Sequence, residues 1–166
     1  MAQINTVMNK SCSVAIAQSF MEKDLYLVWG GLDDNEEEWT DTPPTIDPLK
    51  SRFDNEICRR LIATKKYVVQ DDSGNIESGG YRWIESTEPT NCLLLSVTHK
   101  LTDASNATIY KVGVASGTKF NSDVTDKSFV NPLQLTNSGY LICSANIPKL
   151  VRDPTVAQKR DFILRF

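Results

Sequence analysis

Apolar positions near the start of the chain recur first at helical spacing and then as a continuous run. Val14, Ala17 and Met21 lie three to four residues apart, so we predict a short helix over Ser13–Lys23. The next run, Leu25–Trp29, combines branched and aromatic side chains between polar flanks, which is typical of a compact strand. We therefore expect a helix followed by a buried strand, with the tryptophan that ends the strand in the core.

A second helix is predicted further along. Asp47 is placed to cap it and Pro48 to occupy its first position, where a missing N–H costs nothing. The helix is expected to run to about Ala63. Its predicted core-facing stripe repeats at every fourth residue and consists of Leu49, Phe53, Ile57 and Leu61.

After this point the pattern favours strands separated by turns. The fold class we predict is α+β: a β-rich single domain over residues 1–166, with two N-terminal helices and a mainly antiparallel sheet or sandwich. The predicted strands are Lys66–Gln70, Ile76–Ile84 with an interruption at Gly79-Gly80, Asn91–Lys100, Thr108–Ala115, Gly139–Ile147 and Asp161–Phe166.

Between the first strand and the second predicted helix lies a long polar segment, Leu32–Pro48, which we call the acidic loop. It carries seven carboxylates and three prolines, and repulsion between like charges together with proline disfavours a regular ladder. Loops of this length in compact domains are usually functional or disordered. Within it, Trp39 either folds back on its own domain or docks into a neighbour.

Composition narrows the function further. The chain has 166 residues and a net charge of -3, which argues against a nucleic-acid binder, and no apolar run is long enough to span a membrane. The four cysteines form no close pair, so we expect mostly buried, reduced thiols and assembly in a reducing cytoplasm. The single histidine, His99, is expected to face solvent or a sheet edge.

The acidic loop leaves two chemical alternatives open. Asp33, Asn35 and Glu37 alternate as calcium ligands do, but the glycine and the final glutamate of a calcium loop are missing. A glycosidase would need two carboxylates with different pKa values, and Asp33, Glu36 and Asp41 qualify only by residue type. Neither a nucleophile elbow nor a phosphate-binding loop is present. We therefore expect no catalytic residues, no metal and no cofactor, with a carboxylate-based hydrolase as the alternative.

Three motifs in order resemble a known family. A helix ending near Phe20 leads into Tyr26–Gly30, Trp39–Thr45 reads Trp-Thr-Asp-Thr-Pro-Pro-Thr, and the C-terminal stretch Ile147–Thr155 is followed by Phe162–Phe166. These resemble the opening strand, the tryptophan and double-proline loop, and the closing segment of the T-even-type bacteriophage baseplate wedge proteins, which join the inner wedge to the peripheral baseplate. Glu38 stands where that family usually has a proline.

The resemblance implies a structural subunit of a virion, in a tail baseplate or tail tip, that works by docking. It implies other tail or baseplate proteins as partners, including fibre or tailspike proteins, and association with further copies of the chain. The alternatives are a tail-associated hydrolase that acts on the cell envelope and a neck or fibre adaptor of another tail type. The residues we expect at such interfaces are Trp39, Asp41, Pro43, Pro44, Arg152 and Phe166.

Overall fold

The computed structural model describes residues 9–166, which contain one α-helix, one short 3-10 helix (Pro132–Gln134) and twelve strands. The helix, α1, spans Lys10–Met21. The strands are β1 (Leu25–Gly30), β2 (Glu56–Leu61), β3 (Thr64–Gln70), β4 (Ile76–Ser78), β5 (Tyr81–Ser86), β6 (Cys92–His99), β7 (Thr108–Ser116), β8 (Lys119–Phe120), β9 (Phe129–Val130), β10 (Leu135–Asn137), β11 (Tyr140–Val151) and β12 (Gln158–Arg165).

The predicted fold class was wrong in its helical part. The described chain is β-rich with a single α-helix and antiparallel sheets, so it is not an α+β fold with two N-terminal helices. The first predicted helix exists, but it begins at Lys10 and ends at Met21. The predicted strands are present with shifted ends, and the interruption at Gly79-Gly80 is the turn of the β4–β5 hairpin, with φ of +61° and +78°.

The second predicted helix is absent because its C-terminal half pairs as a strand. The side chain of Asp47 accepts a hydrogen bond from the Leu49 amide at 2.9 Å, as a cap would, but the turn is not continued. From Glu56 the backbone pairs with β1 on one side and β9 on the other. A repeat of four is also a multiple of the strand period of two, so the spacing of Ile57 and Leu61 fits either structure. Pairing within the sheet decided between them.

The described chain divides into two compact units. One, the helix-bearing unit, comprises the chain up to Lys23, Thr64–Ser96 and Asp161–Phe166. Its sheet has the order β12-β6-β3-β5-β4, and its core cluster contains Val68, Trp83, Cys92 and Leu94. Phe20 of α1 stacks on Phe166 with ring centroids 5.2 Å apart, which ties the end of the helix to the end of the chain.

The other, the loop-bearing unit, comprises Asp24–Ala63 and Val97–Arg160. Its five strands follow the order β11-β7-β1-β2-β9, and every neighbouring pair is antiparallel. All six residues of β1 are buried, which confirms the predicted strand and the core position of Trp29. The prediction that residues 1–166 form one domain stays a prediction.

Phe53 packs on a face of this sheet at a place where glycine residues leave room for its ring. A β carbon on Gly30 would lie 2.9 Å from the Phe53 ring, and one on Gly113 would lie 3.2 Å from it. The ring joins Val28 and Ala115 in a buried cluster. Of the predicted apolar stripe, Phe53 is therefore core, whereas Leu49 is 89% exposed.

The expectation that His99 faces solvent was wrong. Its side chain is fully buried and lies parallel to Trp29, with ring centroids 3.6 Å apart. Burial, together with the charges of Arg152, Arg60 and Arg160, lowers the pKa of His99 to about 3. Because strands alternate inward and outward residues, a histidine that continues the phase of Leu95 and Val97 in β6 takes an inward position.

The four cysteines are free thiols, of which Cys58 and Cys92 are buried and Cys12 is exposed. Burial raises the pKa of the Cys58 thiol to about 12. Among residues 9–166, no helix is long and apolar enough to cross a bilayer.

Phe53 and Leu49 give a direct test of which residues of the predicted stripe lie in the core. We expect Phe53→Ala to lower the free energy of unfolding by about 3–5 kcal/mol, because it empties a packed site. Leu49→Ala should change it by about 0.5 kcal/mol or less, because the side chain is exposed. Urea denaturation of both variants measures the difference. Equal losses of stability would mean that both side chains lie in the core, as the predicted helical stripe requires.

His99 predicts a pH dependence of stability. The unfolded histidine takes a proton below its usual pKa of about 6.5, whereas the folded one stays neutral until about pH 3. The unfolded state therefore binds more protons in this window, and stability falls with falling pH by up to about 1.4 kcal/mol per pH unit. His99→Phe should remove this slope between pH 6.5 and 5, above the main carboxylate titrations. The same slope in both proteins would contradict the buried neutral histidine.

Candidate functional site

The acidic loop is fixed to the loop-bearing unit by a buried lysine. The ammonium of Lys111, in the middle of β7, lies 2.7 Å from Asp33 and 2.5 Å from Glu36, and only 2% of the lysine side chain is exposed. A buried ammonium without counter-charges costs several kcal/mol. The two loop carboxylates are therefore required where they are, and the first part of the loop is held against the sheet.

Lys50 reinforces this clamp from the other side of the loop. It lies 2.5 Å from Asp33 and 3.0 Å from Asp54. Burial alone would raise the pKa of Asp33, but hydrogen bonds from Lys111 and Lys50 outweigh it and lower that pKa below its usual value. Asp33 thus stays ionised at neutral pH as the shared partner of two lysines.

A second clamp lies two residues beyond Glu36 along the loop. Glu38 accepts a hydrogen bond from the Tyr110 hydroxyl at 2.7 Å and forms an ion pair with Lys149 of β11. The bond from Lys149, followed by that from Tyr110, lowers the pKa of Glu38. Tyr110 and Lys111 are neighbours in β7, so their side chains leave opposite faces of the sheet. Glu36 holds one and Glu38 the other, so the loop is fixed to two neighbouring residues of β7.

Trp39 lies against its own unit. Its indole N–H donates to the carbonyl of Ile147 at 2.8 Å, and its ring meets Tyr110 edge to face at a centroid distance of 5.1 Å. The side chain is half-buried. Of the two alternatives for this residue, the structure shows it folded back, with part of the ring still accessible.

Beyond Trp39, the residues 40–51 run alongside the outer edge of β11. The Lys149 amide donates to the Thr40 carbonyl at 3.0 Å, the Asn146 side chain donates to the Pro44 carbonyl at 2.8 Å, and the Leu141 amide donates to the Ser51 carbonyl at 2.8 Å. As the residue number rises along the segment, the number of its partner in β11 falls, so the two run antiparallel. We call residues 40–51 the cover segment.

Pairing with lysines leaves four of the seven loop carboxylates unneutralised. Asp33, Glu36 and Glu38 are held by Lys111, Lys50 and Lys149. The other four are exposed and form no salt bridge with any described residue; they are Asp34, Glu37, Asp41 and Asp47. Pro44 is exposed and Pro43 half-buried. The outward side of the loop therefore carries negative charge and a stiff double proline.

Arg152 and Phe166 lie elsewhere. Arg152 is fully buried, and its guanidinium donates to the carbonyls of Lys100, Asp153 and Val156, so it holds the backbone at the end of β11. Phe166 is half-buried on Phe20. Neither residue is part of the loop surface.

Two adjacent arginines of β2, Arg59 and Arg60, are engaged with carboxylates of the loop-bearing unit. Arg59 is 1% exposed and forms paired hydrogen bonds to Glu56 at 2.6 and 2.8 Å. Arg60 lies 3.3 Å from the buried Asp103. Both guanidinium groups belong to the interior of the loop-bearing unit.

The geometry offers the chemical alternatives little support. Within residues 9–166, no three His, Cys, Asp or Glu side chains are arranged to hold a metal ion. A glycosidase acid needs a raised pKa, whereas that of Asp33 is lowered. A surface groove of about 590 Å³ is lined by Asp54 and Glu56 among others, but each of these is paired with a cation.

Sequence reasoning missed the three partners of the loop on the sheet, Tyr110, Lys111 and Lys149. The sequence held no signal for Lys111, because alternation in this strand places Tyr110, Val112 and Val114 on the more apolar side and Lys111 on the other. Only the structure shows that both sides of β7 are covered and that the lysine is buried.

The fold and this loop define a β-rich protein whose charged loop is held against a sheet by ion pairs and then follows an edge strand. A family model described as baseplate wedge 3 tail fiber network component matches residues 5–166. The chain belongs to this family and is a structural component of a bacteriophage tail baseplate, which confirms the resemblance to the T-even-type wedge proteins. No curated protein matches the chain significantly.

The clamp on Lys111 can be tested with two matched double variants. Asp33→Asn with Glu36→Gln should lower the free energy of unfolding by about 3–5 kcal/mol, because a buried ammonium loses both counter-charges. Asp34→Asn with Glu37→Gln makes the same charge change on the exposed side and should stay within about 0.5 kcal/mol. Urea denaturation compares them. Equal effects would mean that the buried ion pair contributes nothing specific.

Proposed function

We propose that this chain is a docking adaptor in the baseplate, and that the outward side of the acidic loop is the surface its neighbours bind. The observation that carries the proposal is the division of the loop charges. Three carboxylates are used inside the unit, and four are left outside. An inner side that fixes the loop in place leaves the outer side pre-organised, which lowers the entropy cost of binding.

The chemistry of the surface indicates its partner. Asp34, Glu37, Asp41 and Asp47 are exposed, so a complementary surface carries lysine or arginine. Pro43 and Pro44 restrict the backbone between the last two carboxylates and keep it extended. The exposed part of the Trp39 ring adds apolar contact area beside the charges.

The partners we propose are other baseplate and tail proteins, including fibre or tailspike proteins. The family description names a tail fibre network, which supports attachment of fibres. Association with further copies of the chain, assembly in the host cytoplasm and the absence of catalysis belong to the same proposal. Arg152 is left out of the docking surface because it is fully buried, and Phe166 offers only the exposed part of a stacked ring.

Asp41 is the best single position for a test. Asp41→Lys reverses an exposed charge that forms no salt bridge with a described residue, so the thermal unfolding of the purified subunit should be unchanged. Incorporation into tails should fall by about tenfold or more, because like charges would meet at the interface. The two measurements together separate docking from folding.

Asp123→Lys is the matched control, since Asp123 is also exposed and belongs to the same unit. It should incorporate normally. Normal incorporation of Asp41→Lys, or an equal defect in both variants, would refute docking through the loop.

A further inference from the structure

The sheet edges of the described chain differ sharply in how open they are to another strand. An unpaired edge is a template for strands of other molecules, and proteins keep such edges short, charged or covered. β9 has two residues and β4 three. β12 has eight residues, of which Lys159, Arg160, Asp161 and Arg165 are charged. These edges are protected by length or charge.

β11 is protected by neither. It has twelve residues and lies at the edge of the five-stranded sheet. Lys149 is its one charged residue and Pro148 its one proline, and most of the others are apolar or small. Its pairing with β7 is irregular at two places, between Leu141 and Cys143 and between Asn146 and Leu150, but between these places it pairs regularly over Cys143–Asn146. Long edges with high β-propensity and low charge are the ones that pair between molecules.

The edge of β11 is occupied by the cover segment. Contacts at Thr40, Pro44 and Ser51 follow β11 from Lys149 down to Leu141, almost its whole length. Two of these contacts are bonds between backbones, and among residues 9–166 no other backbone hydrogen bond reaches β11 from outside its own sheet. The segment itself is not a strand.

Proline explains why a segment that lies like a strand does not become one. Three of the twelve residues of the cover segment, Pro43, Pro44 and Pro48, have no N–H to donate. A chain that lacks these donors cannot complete a ladder with β11, and its outer side cannot offer a regular ladder to the next molecule. The sheet therefore ends at this segment.

We propose that the cover segment is an edge guard, which keeps β11 from pairing with a strand of a second copy of this chain. Where proteins of this kind are packed at high local concentration in a multi-subunit assembly, an open edge would compete with correct contacts. The guard thereby limits association to the surfaces that form the correct contacts of the assembly. This role is distinct from docking, because it needs the inner side and the prolines of the segment rather than its exposed carboxylates.

The test replaces two prolines of the cover segment by residues that can form a β ladder. Pro43→Thr with Pro44→Thr supplies two amide donors and two side chains of high β-propensity. The purified variant should form open-ended oligomers. Its average mass in sedimentation should rise several-fold with concentration, and an intermolecular β band should appear in the infrared spectrum. The native chain should keep one defined oligomeric state over the same range.

Pro89→Thr with Pro154→Thr is the control, since both prolines are exposed and lie outside the guard. It should behave as the native chain does. A second variant, Trp39→Phe with Asn146→Ala, removes two hydrogen bonds that hold the segment and its approach to β11, and it should also associate. If both guard variants keep the native oligomeric state, the proposal is overturned.

Hydrogen exchange of the native chain decides the question where a variant fails to fold. The amides of Leu141 and Lys149 should exchange as slowly as those on the inner side of β11, because the cover segment accepts from both. Fast exchange at both positions would show an open edge and would equally overturn the proposal. Neither measurement involves tail incorporation, so the docking role stands or falls separately.

Discussion

The ammonium of Lys111 is the group on which the arrangement of the loop-bearing unit depends. It lies in a strand with neighbours on both sides, its register partners being Gly30 of β1 and Asn146 of β11. Water does not reach it, so its charge must be balanced by carboxylates from another part of the chain. Asp33 and Glu36 supply them, and this fixes the point at which the acidic loop meets the sheet.

Once the loop is fixed at Lys111, its further course follows from short steps along the chain. Glu38 is two residues beyond Glu36 and accepts a hydrogen bond from Tyr110, the neighbour of Lys111 in β7. Trp39 then bonds to Ile147 of the edge strand β11. The cover segment returns along the strand to Ser51, from where Phe53 enters the core. One buried ion pair thus connects an acidic loop, an edge strand and a core aromatic residue.

The parts of this structure that sequence could predict are those decided by local pattern. The helix around Ala17 and the buried strand β1 were predicted because their residues favour one structure over a full element. The helix predicted after Asp47 was wrong although its cap and its period fit a helix. The competing interaction is the pairing of Glu56–Leu61 with β1 and β9, and it joins residues far apart in sequence, which a local pattern does not reveal. Local propensity is a weak prior where such pairing is available.

The candidate site divides in the same way. The acidic loop and its double proline could be singled out from composition alone, because charge repulsion and missing donors are properties of the residues themselves. Their partners could not, because Tyr110, Lys111 and Lys149 have the pattern of ordinary strand residues and are paired only through the loop that lies on them. His99 shows the converse case, since the phase of its strand placed it inside, and this information was not used.

A long loop with seven carboxylates would be expected to be mobile, and mobility would be costly for a structural component whose contacts must form in a defined geometry. The distribution of the charges resolves this conflict. The inward carboxylates contact lysine instead of water and hold the backbone in place. The carboxylates between them and after them are then presented outward on a fixed support. Prolines complete the arrangement, because they stiffen the exposed stretch and also prevent it from joining the sheet that supports it. The same segment can therefore lie along an edge strand without extending the sheet, and can offer charge to a neighbour without first having to be ordered.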